Sequence, residues 1–478
     1  MIIYELQLDR ESGVPLSSQI YRYVREGVAG GKLKAGALLP SSRQLASVLG
    51  ISRNTVNTAY ELLKAEALID VRRGAAPVVC EQPSAFSKET TSSISGSSQG
   101  LSKRGKRLSA DLRFPSKGEK MQPGEPARSL FPYDLWGRSL RRAARTVGDS
   151  QLAYEHTFGL DRLRSVLAQY LLQERGVRAE AEQIIVGASV QSLLTLITQS
   201  FSDEGDPALI EEPGYTGARS AFHAAGLDVQ GFDPSEGLSS FAGKAFRLIY
   251  LTPSHQFPLG MRMDMARRLE VLQFARKSGA LVIEDDYDSE FLFEGRPLAA
   301  LQGLNAGSDV VYIGTVSKSL APGIRLAYAV VPRCYAKALR VAHRSLGGLA
   351  NVHGQAALAH FIEEGHYRAH LKKIRRAYEE RGALLSAEIR RVLGNRVGVG
   401  KPAGGLQMPI FLPQDCDDQY VASQLDERGF GVKPLSSYYI KNSSRVRRMG
   451  LVCGFAEVDE ATARLFAETL DKLVPASP

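Results

Sequence analysis

Lys318 stands in the run Ile313-Gly314-Thr315-Val316-Ser317-Lys318-Ser319-Leu320-Ala321-Pro322-Gly323-Ile324-Arg325, with a hydroxyl three residues before it and a guanidinium seven after. An amine so flanked can form a Schiff base with an aldehyde while Thr315 and Arg325 hold a phosphate. Upstream, Glu284-Asp285-Asp286-Tyr287-Asp288-Ser289-Glu290 follows directly on the apolar run Ala280-Leu281-Val282-Ile283. That run reads as a buried strand, and α/β sheets bind ligands at strand C-termini. A carboxylate there, Asp285, can keep a pyridine nitrogen protonated, and Tyr287 can hydrogen-bond a ring hydroxyl. These residue types fit pyridoxal 5′-phosphate as cofactor. Gly187-Ala188-Ser189-Val190-Gln191 joins a strand to a helix, so the Ser189 hydroxyl and backbone N–H groups such as that of Val190 offer a phosphate cradle. With Thr315 and Arg325 they make one anion site. Tyr215, in Glu212-Pro213-Gly214-Tyr215, is a candidate for stacking on the ring.

The elements that must position these groups alternate. Ile184-Ile185-Val186, Pro207-Ala208-Leu209-Ile210, Arg247-Leu248-Ile249-Tyr250-Leu251 and Val310-Val311-Tyr312-Ile313 read as further strands, separated by helical stretches. The pattern predicts an α/β doubly wound domain with a mainly parallel sheet over residues 128–478, its smaller lobe starting at about 341. In front of it, residues 81–127 are rich in Ser, Gly, Lys and Gln and read as a flexible linker.

Residues 1–80 have a different character. Ser41 or Ser42 can cap a short helix, Gly50 marks a turn, and Ser52 can cap a second helix running to about Glu66. The stretch from Leu68 to Val79 then reads as two strands around a turn, completing a winged helix-turn-helix.

With 478 residues and 44% hydrophobic composition, the chain has material for more than one core. Its net charge of +9 permits a polyanion partner. Cys80, Cys334, Cys416 and Cys453 lie far apart, which argues against a zinc ribbon and against a secreted disulfide framework. His366 and His370 fall four apart, yet no third ligand is evident, so a solvated helix face and no metal are expected. No apolar run reaches membrane-spanning length, and a cytoplasmic protein is expected.

Gly31-x-Leu33-x-x-Gly36-x-x-Leu39-Pro40-Ser41-x-Arg43-x-Leu45-Ala46 and Leu49-Gly50-Ile51-Ser52-Arg53-Asn54-Thr55-Val56-x-x-Ala59-Tyr60 resemble the GntR-type winged helix. In that geometry Arg53 and Asn54 begin the helix that reaches base edges of double-stranded DNA, Arg43 and Thr55 contact phosphates, and Arg72 and Arg73 sit on the wing. Ala67 stands where that family usually has glycine. The larger part resembles the fold-type I aminotransferases, and more closely the MocR/GabR-type regulators, in which that fold is fused to a GntR winged helix. The pieces that carry the likeness include Glu212-Pro213-Gly214-Tyr215, Thr252-Pro253-Ser254-His255-Gln256-Phe257-Pro258-Leu259-Gly260 and the Lys318 segment.

The resemblance implies that Lys318 carries the Schiff base and that Tyr154 reaches the phosphate across a domain-swapped, head-to-tail homodimer. Phe257 replaces an asparagine that such enzymes place against the ring hydroxyl, leaving His255 or Gln256 as substitutes. The final strand, Gly450-Leu451-Val452-Cys453-Gly454, is neutral where a carboxylate-binding arginine is expected, and Arg448 just upstream is the candidate for the effector. The function implied is a transcription regulator whose aminotransferase-like domain senses the cofactor or its adduct with an amine or amino acid. The alternative is an active aminotransferase with an autoregulatory winged helix.

Overall fold

Small polar residues and glycines set the helix ends of the N-terminal unit, Met1–Gln99. The computed structural model describes residues 3, 6–72, 75–81, 100–110, 118–148, 158–304, 309–440 and 445–475. Within the first unit, α1 spans Leu16–Ala29, α2 Ser42–Leu49 and α3 Arg53–Ala65. Ser41 and Gln44 form a reciprocal capping box at α2, each side chain accepting from the other's backbone N–H. Gly50 ends α2 at φ 61°, in the left-handed region that favours glycine, and Ser52 caps α3 by accepting from the Thr55 N–H. Strands β1 (Ile69–Asp70) and β2 (Val78–Val79) pair antiparallel as the wing. Ile20, Val24, Leu45, Val56 and Leu63 are fully buried between the helices.

The second unit, Gly100–Pro478, is built on a seven-stranded sheet. Its strands are β3 (Ile184–Gly187), β4 (Pro207–Glu211), β5 (Asp228–Phe232), β6 (Leu248–Leu251), β7 (Leu281–Asp286), β8 (Val310–Thr315) and β9 (Ala327–Val330). Their order is β3-β9-β8-β7-β6-β4-β5, with β9 antiparallel to both its neighbours and the β8-to-β5 pairs parallel, so the sheet is mixed. The helices are α4 (Lys103–Ala110), α5 (Tyr133–Thr146), α6 (Asp161–Arg175), α7 (Val190–Phe201), α8 (Thr216–Ala225), α9 (Met265–Ser278), the one-turn α10 (Leu301–Leu304), α11 (Arg333–Leu346), α12 (Val352–Glu363) and α13 (His366–Leu393). A second, antiparallel sheet of order β10-β11-β13-β12 follows, made of β10 (Gly398–Val399), β11 (Gln407–Phe411), β12 (Lys433–Pro434) and β13 (Gly450–Gly454), with α14 (Asp418–Asp426) and α15 (Glu460–Asp471).

Two boundaries differ from the expectation. The small lobe does not start at 341: α12 packs into the large-lobe core, where Phe361 meets Trp136 edge-on. The passage between lobes occurs inside α13, whose Tyr367 belongs to the large core and whose Ile374, Leu385 and Ile389 belong to the small one. Nor are residues 81–127 linker throughout. Helix α4 lies within them, with Arg107 paired to Glu204, and residues 118–127 run along the small lobe. There the Gly118 N–H donates to Asp426, the Gly454 N–H to the Met121 carbonyl and the Ala127 N–H to the Tyr378 hydroxyl. Polar composition concealed a segment whose Met121 and Ala127 are buried.

Candidate functional site

Strand alternation sorts the three carboxylates at the end of β7. Glu284 accepts from the N–H groups of Leu301 and Gln302 and so caps α10. Asp286 accepts from Arg175 at 2.7 Å and from the Tyr312 hydroxyl at 2.6 Å. Burial works to raise the Asp286 carboxyl, but the Arg175 guanidinium and these hydrogen bonds hold it below its ordinary value. Asp285 between them accepts from the Tyr250 hydroxyl at 2.6 Å through Oδ2, while its Oδ1 is buried without a partner among the described residues. Burial pushes this carboxyl up to about 7.

Asp285 opens on a cleft of about 430 Å³ that also holds Ser189, Val190, Tyr215, Tyr287, Thr315, Lys318 and Arg325. Residues far apart in sequence thus meet at the C-terminal ends of β7 and β8 and at the N-terminus of α7. The Lys318 amine donates to the Gly124 carbonyl at 2.7 Å, and burial pushes its pKa down against the pull of Glu125, Asp288 and Asp285. Behind it, His370 donates to the Ser319 carbonyl at 2.7 Å and the Tyr367 and Ser319 hydroxyls bond at 2.8 Å, fixing the segment. His370 is therefore buried and not on a solvated face.

On the anion side, Ser189 caps α7 by accepting from the Ser192 N–H, Thr315 bonds the Ser317 hydroxyl and donates to the Leu326 carbonyl, and Arg325 adopts φ 57°, unusual for a residue other than glycine. Tyr215 stacks beside Tyr250, their ring centroids 6.4 Å apart. This set fits pyridoxal 5′-phosphate: the unpaired Oδ1 of Asp285 suits a protonated ring nitrogen, Lys318 supplies the amine, and a helix N-terminus with hydroxyls and Arg325 suits the phosphate.

Two expected residues lie elsewhere. His255 does not line the Lys318 cleft; it faces a neighbouring cavity, with Nδ1 2.9 Å from the buried Asp288 carboxylate, which needs a partner there. Although burial acts to lower it, this carboxylate raises the His255 pKa. Its link to the cleft is the Tyr287 hydroxyl, 3.3 Å from the same nitrogen, and Phe257 takes the place on the cleft wall. Arg448 is exposed and lies over the Phe411 ring at 4.9 Å, because the neutral strand β13 leaves it outside the lining. Tyr154 and Arg73 lie outside the described residues.

The sequence reading missed Gln122, Pro123, Gly124, Tyr250, Lys433 and Tyr438, which also line the cleft. Tyr250 carried one signal, a tyrosine on an otherwise aliphatic strand; the others arrive through tertiary contacts that no local spacing records.

In the first unit Arg43, Arg53, Asn54 and Arg72 are exposed and Thr55 is half-buried. Arg53 reaches back to the Ser42 hydroxyl at 3.3 Å, Thr55 bonds the capping Ser52, and Arg72 pairs with Asp70 at 3.0 Å.

Residues 138–470 match aminotransferase class I and II, and residues 16–79 match bacterial regulatory proteins of the gntR family. The chain is 34% identical over 464 residues to the probable rhizopine catabolism regulatory protein MocR of Rhizobium meliloti, covering 96% of this chain and 94% of the relative. To the HTH-type pyridoxine biosynthesis transcriptional regulator PdxR of Corynebacterium glutamicum it is 29% identical, covering 98% of each. Among solved structures, the α-aminoadipate aminotransferase LysN of Thermus thermophilus, complexed with N-(5′-phosphopyridoxyl)-L-leucine, superposes with a TM-score of 0.67 at 26% identity, over 75% of this chain and 92% of that one. An aminotransferase domain with this lysine, carboxylate and anion cradle takes pyridoxal 5′-phosphate as its cofactor. Alike over almost the whole length and in both parts, the chain belongs to the MocR-type transcription regulators, in which a gntR winged helix precedes an aminotransferase class I and II domain.

Proposed function

We propose that the protein is a cytoplasmic regulator whose winged helix binds operator DNA and whose aminotransferase-like domain senses pyridoxal 5′-phosphate or an amine that replaces Lys318 on it. One observation carries this reading: a chain whose capped helix α3 exposes Arg53 and Asn54 also holds a half-buried lysine, Lys318, in the same cleft as the unpaired oxygen of Asp285. Bound there, the cofactor supplies an electrophilic carbon that Lys318 and an effector amine can exchange. Asp285 holds a proton at the ring nitrogen, and Tyr287 orients the ring hydroxyl. Ser189, the Val190 N–H, Thr315 and Arg325 bind the phosphate, and Tyr215 covers the ring. The Lys318 amine itself donates to the Gly124 carbonyl, within the segment that precedes the aminotransferase fold.

Coupling to DNA needs the ligand to bind two arrangements of the protein with different affinity, since equal affinity shifts nothing. Those arrangements belong to a head-to-tail, domain-swapped homodimer, with Tyr154 reaching the phosphate of the partner subunit. The position of Arg448 outside the cleft favours sensing over transamination of α-amino acids. Absorbance of the cofactor-loaded protein tests the site: before any amine is added the wild type shows the band of a lysine imine, which primary amines then shift, whereas Lys318→Ala shows only the free-aldehyde band. An imine band in that variant before amine is added would refute the exchange, and many turnovers with amino donors and 2-oxo acids would favour an enzyme.

A further inference from the structure

Gln407 opens β11 and is 2% exposed, yet neither its Oε1 nor its Nε2 has a hydrogen-bond partner among the described residues. The other buried side chains with an unpaired polar atom, such as Asp285, Asp286 and Asp288, each keep a partner on a second atom. An entire amide left unpaired in a buried place is rare in a folded protein and calls for a partner from outside the chain, a water or a ligand. The same sign at Asp285 would be answered by the protonated ring nitrogen of the cofactor. Gln407 is not among the residues that would hold the cofactor's ring or phosphate.

Its location defines what does. A Cβ built on Gly124 would lie 2.9 Å from Lys318 Nζ and 3.6 Å from Gln407 Oε1, so the amine and the amide converge on the same side of Gly124, which lines the cleft. Gly454, opposite Gln407 in the ladder, lets the backbone of Gln122 pass so close that a Cβ there would lie 2.1 Å from its carbonyl oxygen. The amide and the Lys318 amine thus flank one point beside Gly124, with Gln407 directly behind the cleft lining.

We infer that Gln407 is an effector-selecting residue, and that the effector is a small primary amine carrying a neutral group that both donates and accepts a hydrogen bond, a hydroxyl or a carboxamide. Such a group satisfies Nε2 and Oε1 together. A carboxylate only accepts, leaving Oε1 unpaired, and an alkyl group leaves both atoms unpaired. This inference rests on the amine-exchange reading proposed above.

The test compares near-isosteric amines on the cofactor-loaded full chain by absorbance titration: ethanolamine against propylamine, and glycinamide against isobutylamine and glycine. Whichever of hydroxyl and carboxamide is preferred identifies the group. The expected result is a preference of at least about tenfold for ethanolamine over propylamine, or for glycinamide over isobutylamine and glycine, in the wild type. In Gln407→Leu and Gln407→Met that preference falls below about threefold while the absorbance still responds. The thermal midpoint of the cofactor-free variants is expected to equal or exceed that of the wild type, since an unpaired amide gives way to apolar atoms; a marked drop in both would assign the amide a structural role and overturn the inference. A preference that survives both substitutions, or none in the wild type, overturns it alone. No absorbance response to any amine overturns it together with the reading on which it rests.

Discussion

Removing the cofactor leaves Asp285 to carry its charge in a buried site with one oxygen unpaired. Its folded pKa, about 7, lies above the ordinary 3.8, so the neutral carboxyl stabilises the fold fully below about pH 4 and that stability is lost as pH rises through 7. In cofactor-free protein, the stability of Asp285→Asn relative to wild type is expected to increase by roughly 2–3 kcal/mol between pH 5 and pH 8, read by denaturant unfolding. A pH-independent difference would show that this carboxyl is not desolvated. The same substitution is expected to weaken cofactor retention, because a neutral amide does not hold the ring nitrogen protonated. At this scale the sequence made Lys318, Asp285, Tyr287 and Thr315 legible because their spacing along β7 and β8 is local. Gln407 and Gly124 were not legible, since Gly124 lines the cleft and Gln407 lies beside Gly124 only when the small lobe and residues 118–127 fold together. His255 pairs with Asp288 and meets the cleft through the Tyr287 hydroxyl, an arrangement hidden in the sequence because a histidine beside a cofactor turn and a histidine paired with a buried aspartate have the same local sequence.

Among the elements, the turn from α3 to β1 carries Ala67 at φ 53°, a conformation that costs most residues other than glycine. Ala67→Gly is expected to stabilise the N-terminal unit by about 0.5–1 kcal/mol without changing operator affinity, measured by thermal unfolding and DNA titration. No stabilisation would mean that the turn is not strained there. On α3 itself, Arg53→Ala is expected to weaken specific DNA binding by roughly 1–3 kcal/mol and relax discrimination at one base position, whereas an unchanged footprint would displace α3 from its assigned role. The ends of α2 and α3 were readable because Ser41, Gly50 and Ser52 act through near neighbours. The reversed direction of β9 and the extent of α12 were not, since apolar runs look alike whichever way a strand runs or whichever lobe a helix covers.

For the molecule as a whole, composition indicated more than one core and the two motifs indicated their kinds, but the charge of +9 is spread too widely to locate a DNA surface by itself. What joins the parts is the claim that the state of one amine, Lys318, changes how the chain holds DNA. The most direct measurement is operator affinity of the full-length protein, with cofactor and with cofactor plus a responding amine, in wild type and Lys318→Ala. The account predicts a change of at least about fivefold on adding the amine to the wild type and none in the variant, whose cofactor-free affinity is unaltered. An equal shift in both proteins, or none in the wild type despite an absorbance response, would contradict it.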